Sequence, residues 1–221
     1  MLIGRRPSRT CGDGTPILGV RNVEEAFEIM STSKSEISVQ AYADQVLSEI
    51  RAVLSSIDDE SVRRFVGAVL EAKRIVLYGA GRMGIMSSTF AMRLAQLGFR
   101  SHALNEPTTP GIGDGDLLIL GSGSGETQTV YDVAVLAKKR GAQLALITAR
   151  PDSRIGRLAD VIVPFSVPTK DGPGAGPSTI QPMTTVADQS LLILFDIIVL
   201  LLMQATNQTS EDLWRRHRNL E

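Results

Sequence analysis

The feature that most constrains the fold of this chain is the alternation of short apolar runs with segments of helical periodicity. The five apolar runs are RIVLY (74–78), FRSHAL (99–104), DLLILG (116–121), AQLALIT (142–148) and DVIVPF (160–165). Between them, segments such as MGIMSSTFAMRLAQLG and TQTVYDVAVLAKKRG repeat their apolar residues at helical spacing. Strands buried on both faces of a parallel sheet read as nearly continuous apolar runs, with helices connecting them. The sequence therefore predicts an α/β fold with a five-stranded parallel sheet and helices on both faces.

The two ends of the chain differ from this central pattern. Residues 1–37 lack sustained periodicity and contain several glycines and prolines, so we predict a mobile N-terminal leader with a short helix around VEEAFEIM. The folded domain is predicted to span residues 38–221 and to open with a helix. Asp58 or Asp59 is expected to cap the second helix. A Pro/Gly-rich loop (168–182), a long helix from about Thr184 and a polar tail complete the domain.

Composition excludes several classes of protein. The 23 Lys and Arg residues balance 24 Asp and Glu, and aromatic residues make up only 5% of the chain, so nucleic-acid binding is not expected. The single cysteine, Cys11, rules out an intrachain disulfide and fits a reducing cytoplasm. The most apolar segment, LLILFDIIVLLLM (191–203), is too short to span a bilayer and contains Asp196. We therefore expect a cytoplasmic protein with no membrane partner.

A glycine-rich loop, GAGRMG, joins the first predicted strand to the following helix. Gly79, Gly81 and Gly84 satisfy the G-x-G-x-x-G pattern of dinucleotide-binding proteins in its expected context. Such a site also needs an acid at the end of the second strand to bind the ribose. The first acid there is Glu106, several residues too late. An NAD(P)-binding enzyme is therefore kept only as a weaker alternative.

A second glycine-rich loop, within GSGSGETQTVYD (121–132), follows the third strand. Its hydroxyls can donate hydrogen bonds, its glycines let backbone N–H groups point inward, and the helix after it contributes a positive dipole end. It lacks the lysine of a P-loop, so a compact phosphorylated ligand is favoured over a nucleoside triphosphate. The candidate phosphate-binding residues of this loop are Ser122, Gly123, Ser124, Gly125, Glu126 and Thr127. The alternative is a serine-capped turn, which needs one hydroxyl rather than three.

The stretch LLILGSGSGETQTV, preceded by VLYGAGRMG, resembles the SIS (sugar isomerase) domain of phosphosugar-binding proteins. The stretches ITARPDSRIGRLADVIV and QPMTTVADQSLLILFDIIVLLLM and the terminal RRHRNLE are similar to the 6-phospho-3-hexuloisomerase family. The resemblance covers residues from about 38 to the last and implies a doubly wound, flavodoxin-like SIS fold. It also implies interconversion of 3-hexulose 6-phosphate and fructose 6-phosphate, a step of carbohydrate metabolism in the ribulose monophosphate pathway.

Three positions depart from the family pattern. The family usually has a serine in the first loop where this chain has Met83, which cannot donate a hydrogen bond. It usually has G-E-T after the second strand, where this chain has Asn105, Glu106 and Pro107. A glutamate at the start of the last helix is replaced by Asp188, which is one methylene shorter. These departures allow a related protein with altered or lost activity.

The implied reaction needs a base that moves a proton between neighbouring carbons, and donors that stabilise the enediolate. The candidate catalytic residues are Glu106, Asp188 and His217, and Gly81 and Arg82 are candidates for phosphate or enediolate binding. Each acid–base candidate also has a simpler interpretation: a solvated loop acid, a helix N-terminal acid and a polar tail, respectively. No metal and no cofactor are expected.

The resemblance also implies self-association, and it leaves the exact function open. A homodimer or homotetramer is expected, in which the tail with His217 reaches a neighbour's pocket. The alternatives to the hexuloisomerase are an isomerase of another sugar phosphate and a non-catalytic phosphosugar-binding protein.

Overall fold

The computed structural model describes residues 38–167, 178–217 and 219, together with Glu24 and Glu28. Most of the predicted leader, and residues 168–177 of the Pro/Gly-rich loop, lie outside the described residues. Glu24 and Glu28 are both helical. The chain divides into two compact units, Met1–Gln45 and Val46–Glu221, and the predicted domain boundary at residue 38 stays a prediction.

From residue 38 onward, the described residues contain five strands, six α-helices and one 3₁₀ helix. The strands are β1 (Ile75–Gly79), β2 (Ser101–Ala103), β3 (Leu117–Gly121), β4 (Gln143–Thr148) and β5 (Val161–Pro164). The α-helices are α1 (Val39–Leu54), α2 (Asp59–Glu71), α3 (Arg82–Gln96), α4 (Gln128–Lys139), α5 (Thr185–Ala205) and α6 (Ser210–Arg215), and the 3₁₀ helix is Gly156–Leu158. All five predicted strands are present. Asp58 caps α2, because its carboxylate accepts a hydrogen bond from the Ser61 backbone N–H at 2.8 Å.

The strands form one parallel sheet in the order β2-β1-β3-β4-β5. This order confirms the predicted doubly wound, flavodoxin-like fold. The chain turns in one direction from β1 to β2 and in the other to β3, so the topological switch point lies between β1 and β3. Gly79 at the end of β1 is directly opposite Gly121 at the end of β3. The two glycine-rich loops therefore leave the sheet side by side, where ligands of such folds bind.

Helices cover the two faces of the sheet unequally. On one face, Ile75, Leu77 and Ile119 belong to a large apolar core that also contains residues of α1, α2, α3 and α5. On the other, Val76, Leu118 and neighbouring strand residues pack against α4. Because successive strand residues point to opposite faces, continuous apolar strands supply both cores.

Helix α5 is longer than the apolar segment 191–203 because polar residues at its start are also helical. With 21 residues, it is long and apolar enough to cross a membrane by length and composition alone, but 56% of its most apolar stretch is buried in the protein. Phe195 stacks on Phe90 of α3 with ring centroids 4.2 Å apart. These contacts identify α5 as a helix of the larger core, although Leu200 on its outer side is exposed.

Helix α3 starts unusually close to β1, because Gly84 in its first turn packs on the carbonyl of Gly79. A Cβ atom added to Gly84 would overlap that carbonyl oxygen, and one added to Gly79 would lie 2.9 Å from the Gly84 nitrogen. Two of the three glycines of GAGRMG therefore allow close helix–strand packing.

The Gly84→Ala variant is expected to be less stable than the wild type by about 1–3 kcal/mol, because the added methyl forces the helix away from the strand. Gly67→Ala is the matched control, since a Cβ at this position of α2 would meet nothing within 4 Å. It is expected to raise stability by about 0.5–1 kcal/mol through reduced backbone entropy of the unfolded chain. Urea unfolding of both variants measures the difference, and equal effects would contradict the packing argument.

Candidate functional site

A cavity of about 450 Å³ lies beyond the carboxyl ends of β1 and β3. Three segments of the chain line it: the end of β1 with the start of α3, the loop after β3, and the segment that leads into α5. The lining residues are Ala80, Gly81, Arg82, Met83, Gly121, Ser122, Gly123, Ser124, Thr127, Pro182, Met183, Thr184, Thr185, Ala187 and Asp188. The predicted phosphate loop and the predicted acid of the last helix are therefore brought together.

The N-termini of three helices meet at this cavity. Gly81, Thr127 and Thr184 are the N-cap residues of α3, α4 and α5, and none of them caps its helix with a side-chain hydrogen bond. Backbone N–H groups in the first turn of a helix lack intrahelical partners and carry the positive end of the helix dipole. The cavity is consequently suited to an anion.

The first loop contributes an open turn and an apolar wall. Gly81 has a φ of 58°, which residues with a side chain rarely adopt, and a Cβ there would meet nothing within 4 Å. The backbone conformation, not close packing, therefore favours glycine at this position. Met83 is buried, and its sulfur lies 3.7 Å from where a Cβ of Gly121 would be. Met83 thus presents a thioether to the cavity where a serine would present a hydroxyl.

The second loop contributes hydroxyl and backbone donors. The Ser122 hydroxyl oxygen accepts a hydrogen bond from the Gly125 backbone N–H, and that of Ser124 accepts one from the Glu126 N–H, each at 3.2 Å. Each hydroxyl keeps its proton to donate. The backbone N–H groups of Gly123 and Ser124 donate to no other described residue. These groups form a set of available donors in one loop that lines the cavity.

Gly125 and Glu126 do not line the cavity. The Glu126 carboxylate accepts hydrogen bonds from the Arg154 backbone N–H at 3.0 Å and from its Nε at 2.7 Å. The Arg154 guanidinium also lies 4.5 Å from the centre of the Tyr131 ring. A Cβ on Gly125, whose φ is 64°, would overlap the Ser153 side chain. The two residues join the loop after β3 to the loop after β4, and their part in ligand binding stays a prediction.

An ion pair spans the cavity between α3 and α5. The Arg82 Nε lies 3.3 Å from Oδ2 of Asp188, and Arg82 also donates from Nη1 to the Thr185 hydroxyl at 3.2 Å. Asp188 is 1% exposed, whereas the Arg82 side chain is 55% exposed. The Thr184 hydroxyl donates to the same Asp188 oxygen at 3.4 Å. The cavity therefore holds a buried carboxylate beside a half-exposed cation.

The other two acid–base candidates lie away from this cavity within one chain. Glu106 is exposed in the turn after β2, where its backbone N–H donates to the Ala103 carbonyl. His217 packs on Trp214 with ring centroids 5.1 Å apart, beside Arg93 and Gln96. Their catalytic roles stay predictions. Among the described residues, no group of three or more His, Cys, Asp or Glu side chains is arranged to hold a metal ion.

The family model for the SIS domain matches residues 69–194, more than half of the chain. This chain belongs to the SIS domain family. The match covers the whole sheet, both glycine-rich loops and the first half of α5, and so includes every residue that lines the cavity.

Relatives of this SIS domain carry one recurring name. A 3-hexulose-6-phosphate isomerase from Bacillus subtilis is 37% identical over 180 residues, covering 81% of this chain and 97% of the relative. One from Mycobacterium gastri is 35% identical, covering 80% and 88%. A crystal structure of a hypothetical protein from Methanococcus jannaschii, for which a 3-hexulose-6-phosphate isomerase function was inferred, superposes with a TM-score of 0.71 at 31% identity, covering 82% of this chain and 99% of that one.

Sequence reasoning did not propose as site residues four consecutive residues that line the SIS cavity: Pro182, Met183, Thr184 and Thr185. They belong to the PMTT tract, whose similarity to the hexuloisomerase family was the only signal for them. Their position before a long apolar helix marked a helix start, but no local pattern indicated that this start would face the two glycine-rich loops.

The Glu126–Arg154 pair predicts a pH-dependent contribution to stability. Hydrogen bonds from the Arg154 backbone, then from its side chain, lower the pKa of Glu126 below its ordinary value of 4.5. Its ionisation therefore stabilises the fold above pH 4.5, and this contribution is lost as the pH falls through the lowered pKa. Glu126→Gln should thus be less stable than the wild type near neutral pH, with the difference shrinking below about pH 4.5.

Urea unfolding across this pH range measures the difference between the two proteins. In an Arg154→Met background, Glu126→Gln should have a smaller effect, because the side-chain hydrogen bond and the charge of Arg154 are gone although the backbone N–H at position 154 still donates to the carboxylate. An equally large, pH-independent effect in both backgrounds would contradict the assignment.

Proposed function

We propose that this SIS domain is a phosphosugar isomerase that interconverts 3-hexulose 6-phosphate and fructose 6-phosphate. The observation that carries the proposal is the convergence of three uncapped helix N-termini and the SGSG hydroxyls on a cavity that also holds a buried carboxylate, Asp188. The names of the relatives that cover most of the chain support the choice of substrate. The size of the cavity fits one sugar phosphate.

In the proposed binding mode, the loop after β3 holds the phosphate. Ser122, Ser124 and Thr127 donate hydroxyl hydrogen bonds, and the backbone N–H groups of Gly123 and Ser124 add two more. Met83 supplies no donor, so this loop carries more of the phosphate binding than it would beside a serine. The sugar then extends from the loop towards Arg82 and Asp188.

In the proposed reaction, Asp188 acts as the base. Its carboxylate takes the proton from C2 of the 3-hexulose, which gives a C2–C3 enediolate. The carboxylate then returns a proton to C3, and the hydroxyl proton moves from O2 to O3. The product is the C2 ketone. Arg82, held beside Asp188, stabilises the negative charge of the enediolate oxygens. Glu106 and His217 stay candidates for this role if a neighbouring subunit of a homodimer or homotetramer completes the site.

The binding mode predicts a strong loss of affinity when two loop hydroxyls are removed. Ser124→Ala combined with Thr127→Ala should weaken fructose 6-phosphate binding at least about 100-fold, since each hydrogen bond to a charged group contributes about 1.5–3 kcal/mol. Thr129→Ala is the control, because Thr129 is exposed on the same helix and does not line the cavity. Isothermal titration calorimetry measures both, and retained affinity in the double variant would mean that the phosphate binds elsewhere.

The reaction predicts loss of proton exchange when the base is removed. Wild-type protein in D₂O should introduce deuterium into fructose 6-phosphate, observed by NMR, and Asp188→Asn should slow this exchange about 10²–10⁴-fold. Asp196→Asn, an exposed acid on the same helix, should leave the rate unchanged. Binding without any exchange by the wild type would instead identify a non-catalytic phosphosugar-binding protein. Undiminished exchange in Asp188→Asn would exclude Asp188 as the base.

A further inference from the structure

A second buried carboxylate, Glu49, lies outside the cavity and binds the segment that precedes one of its walls. Glu49 belongs to α1 and is 8% exposed. It accepts hydrogen bonds from the Thr179 hydroxyl at 2.6 Å, the Ile180 backbone N–H at 2.9 Å and the Gln181 side-chain amide at 3.0 Å. Three donors from consecutive residues thus converge on one carboxylate.

This segment continues directly into the cavity wall. Pro182, which follows Gln181, accepts hydrogen bonds from the Thr185 backbone N–H at 3.2 Å and from its hydroxyl at 2.7 Å. The same Thr185 hydroxyl accepts the hydrogen bond from Arg82. A continuous series of short contacts therefore connects Glu49 to the guanidinium that pairs with Asp188.

The wall contains a backbone conformation that needs external support. Met183 has a φ of 55°, which is unfavourable for a residue with a Cβ, and the residue is 80% exposed. Such conformations persist only where neighbouring contacts hold them. Because Met183 packs little itself, neighbouring hydrogen bonds have to hold it. Among the described residues these include the bonds of Glu49 before it, the Pro182–Thr185 turn around it and the bonds of Thr184 and Thr185 after it.

We propose that Glu49 is a positioning residue that fixes Pro182–Thr185 as a wall of the cavity. Glu49 does not line the cavity, so it acts through the segment that it binds. One consequence rests on the proposed function: through this wall, Glu49 sets the affinity for the sugar phosphate. We expect the proton-transfer step to depend on it less, because Asp188 pairs directly with Arg82 and the neighbouring Ala187 packs in the large core.

Two variants remove the contacts of Glu49 in different ways. Glu49→Gln keeps the shape of the side chain but replaces one acceptor oxygen with an NH₂ group. This group faces the donors of Thr179, Ile180 or Gln181, so not all three hydrogen bonds can form. Thr179→Val removes one donor without touching Glu49, and Thr179→Ser restores the hydroxyl. Glu60→Gln is the control for loss of a glutamate, because Glu60 is exposed on α2 and pairs only with Arg63 at 3.1 Å among the contacts described for it.

Hydrogen exchange measured by mass spectrometry on the unliganded proteins tests the positioning directly. Peptides covering 178–185 should exchange at least about 10-fold faster in Glu49→Gln and Thr179→Val, and at the wild-type rate in Thr179→Ser and Glu60→Gln. Peptides from β3 and β4 should be unchanged in all four variants. Unchanged exchange of 178–185 in Glu49→Gln and Thr179→Val would overturn the proposal.

Steady-state kinetics with fructose 6-phosphate separates positioning from a purely structural role. In Glu49→Gln and Thr179→Val, KM should rise about 10-fold and kcat should change by less than about 3-fold. A ~1 Å misplacement of the reacting groups costs about 100-fold in rate, and we expect a smaller displacement of the cavity wall here. An unchanged KM alongside faster exchange would overturn the link between Glu49 and the site. If the wild type neither binds nor converts fructose 6-phosphate, the proposed function fails, whereas the exchange comparison still decides whether Glu49 holds the wall.

Discussion

The parallel pairing of β1 with β3 is the constraint on which the rest of this structure depends. It aligns Gly79 with Gly121, so that two glycine-rich loops leave the sheet at the same height and on neighbouring strands. The contact between Gly84 and the Gly79 carbonyl then fixes where α3 begins. Because strand direction determines where each following helix starts, the N-termini of α3 and α4 necessarily face the same space.

The third helix end at the cavity belongs to α5, and its contribution is electrostatic as well as geometric. A carboxylate with 1% exposure is costly to bury unless an opposite charge or hydrogen bonds compensate, and Arg82 supplies the charge. Asp188 at the start of a helix is also favoured by the helix dipole. The same arrangement that stabilises this acid leaves the Arg82 side chain half exposed at the cavity.

The residues that depart from the resembled family occupy different parts of this arrangement. Met83 packs beside the end of β3 and lines the cavity, so its thioether replaces a polar group in the wall itself. Asp188 stays within ion-pair distance of Arg82 although it is one methylene shorter than a glutamate. Glu106 and Pro107 lie in a turn at the edge strand, outside the cavity of a single chain. Two of the three departures thus alter the cavity directly.

The sequence by itself determined the strands, the helices between them and the loop of Ser122 and Ser124, because apolar periodicity and glycine spacing are local signals. It did not determine that Glu126 pairs with Arg154, 28 residues away, because two polar loops have no periodicity that relates them. The contact of Arg82 with Thr185 joins residues 103 apart, and that of Glu49 with Thr179 joins residues 130 apart. Only the tertiary structure decided these contacts, because the order of strands and the packing of α1 and α5 on one face bring the segments together. Which carboxylate enters the cavity and which one supports its wall depend on that packing.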